Sequence, residues 1–188
     1  MAERRRIEGF AIVSADGMIA DATGVMPEAL KNDADLSFFA AALDRAAVLV
    51  HGRHSHEQHA NSASRPRLVL TRRVAALAPA RDPPNAILWN PAGAPLDEAC
   101  AALDAGPGFL AVIGGPTVYR LFLELGYDAF HLSRAARVRL PGGLRLFGDD
   151  AGATPEESLA RRGLRPGAER LLDAAAAVTV TTWMKPAA

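Results

Sequence analysis

The chain has 188 residues, 49% apolar and 22% charged, which fits one globular domain able to bury roughly 70% of its unfolded surface. That composition excludes a disordered, collagen-like or coiled-coil chain. The 21 basic and 21 acidic residues cancel, so the chain lacks the basic field that nucleic acid or a polybasic membrane anchor requires.

Ile7–Val13 predicts the first strand. Ala34–Arg45 carries Leu36, Phe39, Ala40 and Leu43 on one helical face, with Asp33 as its expected N-cap. Ala47–Val50, Arg67–Thr71 and Ala86–Trp89 predict three further strands. Leu96–Ala105 has helical spacing and stops at Gly106-Pro107-Gly108. Phe109–Ile113 is a continuous apolar run, as expected of a strand buried on both faces. Gly114-Gly115-Pro116 follows, and Thr117–Leu125 is the next helix. Phe130–Ser133 predicts another strand. Residues 141–167 are rich in Pro and Gly, with a short helix near Pro155–Arg162, and β-branched Ala177–Trp183 closes the chain as a strand. Strands alternating with helices indicate a single α/β domain over residues 1–188, with a mostly parallel sheet and an antiparallel C-terminal edge. Cys100 is the one cysteine, so no internal disulfide or thiolate zinc site is available. No stretch approaches a signal or membrane segment, and a soluble cytoplasmic protein is expected.

Four places carry chemistry. Gly114-Gly115 lies between a buried strand and a helix, where glycine lets a ligand approach the backbone and helix-start N–H groups hold phosphate. The segment is neither a Walker motif nor G-x-G-x-x-G. Gly52-Arg53-His54-Ser55 ends a strand, and the Arg53 guanidinium can fork onto phosphate. His51, His54, His56 and His59 share helical faces in pairs, but no carboxylate pattern or thiol completes a site, so no metal is expected. Thr71-Arg72-Arg73 places two cations at the end of a strand, where a parallel sheet faces its ligand crevice. Asp35 has two readings: a surface acid that compensates the helix dipole, or a carboxylate partly desolvated beside Phe39, with its pKa raised.

Taken in order, these segments resemble dihydrofolate reductase. Ala11–Ala20 is similar to that family's first strand and active-site loop, and Ala34–Phe39 to the segment with the substrate-binding acid. Gly52–Ser55 is similar to the cofactor-phosphate turn, Leu70-Thr71-Arg72 to the 2′-phosphate site, and Ile113–Tyr119 is the nearest match. A second branch fits as well. Ser14–Ala20, Pro66–Leu70 and Pro141–Phe147 look like the riboflavin-pathway pyrimidine reductases, which share the fold but reduce an open-chain ribose on a pyrimidine.

The resemblance implies an NADPH-dependent oxidoreductase that passes hydride to a pterin- or pyrimidine-type substrate. It implies a cofactor site from Ala11, Ile12, Gly17, Ile19, Gly52, Arg53, His54, Ser55, Thr71, Arg72, Ile113, Gly114, Gly115, Thr117 and Val118. Asp35 and Ser133 are the implied catalytic pair. Phe39, Arg65, Arg67, Ile113 and Tyr119 join them around the substrate, with Arg65 and Arg67 competing for one role. The pyrimidine branch implies a homodimer, the folate branch a monomer. A dinucleotide-binding protein without turnover would keep Gly114-Gly115 and Arg53 but have no competent acid.

Overall fold

A computed structural model describes residues 5–54, 64–81, 85–103, 105–149 and 152–186. The apolar first segment, β1 (Ile7–Ser14), lies in the middle of a nine-stranded sheet. It runs parallel between β7 (Phe109–Gly114) and β8 (Ala129–Ala135), with Ile7 opposite Leu110 and Ile12 opposite Ser133. β3 (Ala46–Gly52) continues the parallel sheet beside β7, followed by β4 (Arg67–Leu70) and β6 (Ala86–Trp89). The six parallel strands are thus ordered β8-β1-β7-β3-β4-β6.

The expected antiparallel C-terminal edge is present: β11 (Val178–Met184) pairs with β8, and β10 (Arg165–Asp173) pairs with β11. Two strands depart from the sequence reading. β5 (Leu77–Pro79) makes the opposite edge antiparallel too. β10 falls within and beyond a segment read as loop and short helix. Its Pro166 and Gly167 argue against a strand, but on an outer edge a missing N–H leaves no ladder bond unmade.

Helices cover both faces of the sheet. Strand alternation sorts β3: Leu49 packs with Phe10, Ala111, Ala42 and Leu43 under α1 (Asp33–Leu43). Val48 and Val50 face the other way, towards α2 (Leu96–Ala101) and α3 (Pro116–Leu125), where Ala99, Val118 and Phe122 join Trp89. Leu159 of α4 (Pro155–Arg161) joins the same layer. The architecture is the expected three layers.

Helix ends follow local chemistry. The N-cap of α1 is Asn32, not Asp33; its side-chain oxygen accepts the N–H groups of Ala34 and Asp35 at 3.0 and 3.1 Å. Asp33 and Asp35 then occupy the first turn, where acids compensate the dipole. α2 ends earlier than its spacing predicts. Arg5 takes the carbonyls of Ala105 and Gly106 at 2.9 and 2.6 Å and draws that segment away from the helix. α4 begins with a capping box between Thr154 and Glu157.

After β1 the chain turns through Asp16-Gly17 into β2 (Met18–Ala20), which pairs with β9 (Leu144–Arg145). The Asp16 carboxylate accepts the Leu140 N–H and the Ser14 hydroxyl and so ties this loop to the segment after β8. Burial opposes its ionisation. The Ser14 and Leu140 hydrogen bonds outweigh that and hold the carboxyl below the usual carboxylate range.

Candidate functional site

Asp35 sits in the first turn of α1, half-buried, with its N–H capped by Asn32. Its carboxyl accepts a hydrogen bond from Ser133, a buried residue of β8. Burial pushes the Asp35 carboxyl above the usual range, and the Ser133 hydrogen bond offsets this only in part. Of the two sequence readings, the desolvated carboxylate describes this side chain better than the surface acid does.

Around Asp35 the structure gathers apolar and aromatic groups. Phe39, on the following turn, lies 6.0 Å from the Phe10 ring, and Ile113 joins the same cluster. Tyr119 is buried, and its hydroxyl donates to the Phe10 carbonyl at 2.5 Å. Burial pushes the Tyr119 hydroxyl well up, and the Asp35 charge adds to the effect. Tyr119 therefore stays neutral and keeps its proton directed at the β1 backbone.

A second group of expected residues lies along the carboxyl ends of β7, β3 and β4, which are neighbours in the sheet. Gly114 ends β7 with φ +111°, and a Cβ there would lie 3.0 Å from the Tyr119 ring. The Gly114–Gly115 peptide is cis. Gly52 ends β3 so close that a Cβ would meet Val118 at 3.5 Å and the Gly114–Gly115 backbone at 3.9 Å. Glycine at these positions keeps open a backbone cradle that side chains would fill. α3 starts directly above it: the Val118 and Tyr119 N–H groups close on the Gly115 carbonyl, and exposed Thr117 sits in the first turn after Pro116, which has no N–H. Arg53 is half-exposed and His54 exposed; Ser55, His56 and His59 lie outside the described residues. Beyond β4, buried Thr71 accepts the Arg73 N–H at 3.2 Å, and Arg72 and Arg73 are exposed. The Val118 N–H, one of the helix-start groups expected to hold phosphate, is thus already bonded, and what suits a phosphate-bearing cofactor here is the open glycine backbone beside the cationic side chains of Arg53, Arg72 and Arg73.

Other expected residues stand elsewhere. Ala11 and Ile12 are in β1, and the Ile12 side chain is buried with Leu30 and Val178. Gly17 turns the chain after β1 with φ +83°, and Ile19 packs from β2 against the main core. Arg65 is held by Asp44 at the C-cap of α1, 2.6 Å away. Arg67 begins β4 fully buried, with one guanidinium nitrogen 3.4 Å from His51. Among the described residues, no group of three His, Cys, Asp or Glu could hold a metal ion, and no helix is long and apolar enough to cross a membrane.

No protein-family model and no curated protein sequence matches the chain. Solved structures do. Dihydrofolate reductase from Enterococcus faecalis, complexed with NADP(H) and RAB-propyl, superposes with TM-score 0.65 at 16% identity, covering 97% of each chain. The chain has the dihydrofolate reductase-like fold. A putative riboflavin biosynthesis protein from a Shewanella species shares this fold at TM-score 0.62 and 20% identity, with 97% of this chain and 99% of that one covered. A Thermotoga maritima diaminohydroxyphosphoribosylaminopyrimidine deaminase/5-amino-6-(5-phosphoribosylamino)uracil reductase matches at TM-score 0.64 and 13% identity. The chain covers 57% of that protein's length.

Within this dihydrofolate reductase-like domain, sequence reasoning missed the groups that hold the site in place. Asn32 takes the cap expected of Asp33, and the signal that could have found it is an Asn directly before an acidic first turn. The Asp16 tie follows from no periodic signal. Nothing in the sequence marks Tyr127, whose hydroxyl donates to the Tyr119 carbonyl at 3.2 Å.

Proposed function

We propose that the protein is a reductase that uses NADPH to reduce a pterin- or pyrimidine-type substrate. One observation carries the reading above all. The acid on α1 is desolvated, partnered by Ser133 and placed in one molecule with a glycine-opened cradle. NADPH, when bound, would supply the hydride. The Gly114-Gly115 backbone and the start of α3 would hold the pyrophosphate, with Arg53 and its neighbours adding contacts. Arg72, with Thr71 beside it, would select the 2′-phosphate. The Asp35 carboxyl would bind the amino-ring edge of the heterocycle and help a proton reach the acceptor nitrogen. Its raised pKa suits that task, because a proton donor works best with a pKa near the operating pH. Ser133 would orient the carboxyl, and Phe39 and Ile113 would pack against the ring and exclude water.

The test is NADPH oxidation with dihydrofolate by wild type and Asp35→Asn. The reading expects turnover that falls about 10²–10⁴-fold in the variant. Turnover with the ribosylaminopyrimidine substrate alone would select the pyrimidine branch. NADPH binding without turnover of either would leave a non-catalytic dinucleotide-binding protein.

A further inference from the structure

The β10–β11 hairpin touches the acid-bearing helix at several points. Leu30, fully buried just before α1, packs with Leu172, Ala176 and Val178 of the hairpin. Next, the Asn32 side-chain amide donates to the Asp173 carboxylate at 2.8 Å. The same Asn32 uses its oxygen to accept the Asp35 N–H, so Asp173 is one residue removed from the backbone of the acid. One turn further on, the Arg170 guanidinium lies 5.0 Å above the Phe38 ring. His131 meets the same ring edge-on at 5.8 Å. His131 is in turn held by Thr182 of β11 at 3.0 Å and Glu8 of β1 at 3.1 Å. Asp35 lies between Asn32 and Phe38 on the helix, so contacts on both sides of it fix the rotation of the first turn.

We propose that the β10–β11 hairpin is a clasp that positions Asp35 against Ser133, with Asn32 and Asp173 as its positioning residues. The proposal rests on the reading of Asp35 as the group that handles the proton. It also gives a role to an edge strand that is exposed along most of its length. A side-chain amide can accept through one end and donate through the other only if its flip is fixed. The Asp173 carboxylate fixes it, since it accepts and cannot donate. The Ala176 N–H, and Asn32 itself, hold Asp173 ionised, below the usual carboxylate range. The groups that face the Asp35 carboxyl from other elements are Ser133 of β8 and Tyr119 of α3. The charged groups at the helix start are Lys31, Asp33 and Asp173, with Arg170 further along, over Phe38.

The test reads the titration of the Asp35 carboxyl by carbon NMR in protein free of substrate, with Asp35→Asn to assign the signal. Asp173→Asn keeps one acceptor oxygen, for either Asn32 or the Ala176 N–H, whereas Asp173→Ala removes both; both variants remove the charge. Asn32→Ser keeps a good N-cap but is too short to make the same bond. The clasp predicts that Asp173→Ala and Asn32→Ser move the Asp35 midpoint down towards the ordinary carboxylate range, as the helix start loosens and water enters. Asp173→Asn, which keeps one acceptor, should move it less than Asp173→Ala does. Equal shifts in the two Asp173 variants would show a charge effect and overturn the clasp, as would an unmoved midpoint in Asn32→Ser. Should Asp173→Ala fail to fold, Asn32→Ser alone decides. The readout needs no turnover, so failure to reduce any heterocycle would refute the proposed function and leave this inference standing.

Discussion

Replacing Asp35 by Asn should stabilise the protein while removing its activity. The two side chains match in size, and the Asn oxygen can still accept from Ser133, so the change is close to a pure removal of charge. In the wild type that charge is buried with one hydroxyl as compensation, because the Tyr119 hydroxyl is committed to the Phe10 carbonyl. Burial places the Asp35 midpoint of the folded chain above that of the unfolded chain. Proton binding therefore favours the folded state. The stabilising contribution is complete below the unfolded carboxyl pKa and is lost as pH rises through the folded value. Relieving a functional destabilisation of this kind is worth about 0.5–2 kcal/mol. For a chain of this size that corresponds to a rise in Tm of about 1–8 °C. Thermal unfolding of both proteins from acid to neutral pH would show it. The variant should melt higher at neutral pH, and the curves should converge in acid, where Asp35 is protonated. A variant that melts lower at neutral pH, or a gap independent of pH, would refute the argument that Asp35 is an undercompensated buried charge.

Three further outcomes follow from the geometry. Arg72→Gln should weaken NADPH binding about 10- to 150-fold, the worth of one charge-assisted contact, and leave NADH binding alone; a fluorescence titration with both nucleotides checks this. Gly114→Ala forces a side chain into a positive φ and against Tyr119, so it should cost about 1–3 kcal/mol in denaturant unfolding and abolish nucleotide binding. Tyr119→Phe leaves the Phe10 carbonyl without its donor in the core, and should cost about 1–3 kcal/mol by the same measurement, with the circular dichroism spectrum unchanged.

The parallel centre of the sheet was legible because its strands are short apolar runs, and each of the three layers follows from alternation along β3. The elements that escaped are those whose pattern is set by position rather than by burial. β10 is charged, carries Pro166 and Gly167 and is exposed along most of its length, so no apolar period marks it. β5 is three residues long and has no buried residue. In the candidate site, the glycines stand out by residue type between a strand and a helix, whereas the pairing of Asp35 with Ser133 comes from the family resemblance, because an acid in a first helical turn is ordinary. Arg65 and Arg67 show the reverse case. The sequence offers two cations, one residue apart, for one task, and their surroundings differ through Asp44 and His51, which only the folded chain brings near. Asn32, Asp16 and Asp173 act through hydrogen bonds to distant segments, which single-sequence patterns do not encode.

The position of β1 has a consequence for how the chain is made. β1 lies inside the finished sheet, and its Ile7 N–H is bonded to Asp128, 121 residues downstream. At about 5–20 residues per second, a ribosome needs about 6–24 s to deliver that partner. During this interval an apolar strand has neither of its neighbours. Newly made chain is therefore most exposed to aggregation before β7 and β8 emerge, and pairing of such distant segments favours slow folding. Expression at reduced temperature, or with a chaperone that shelters β1, should raise the soluble yield.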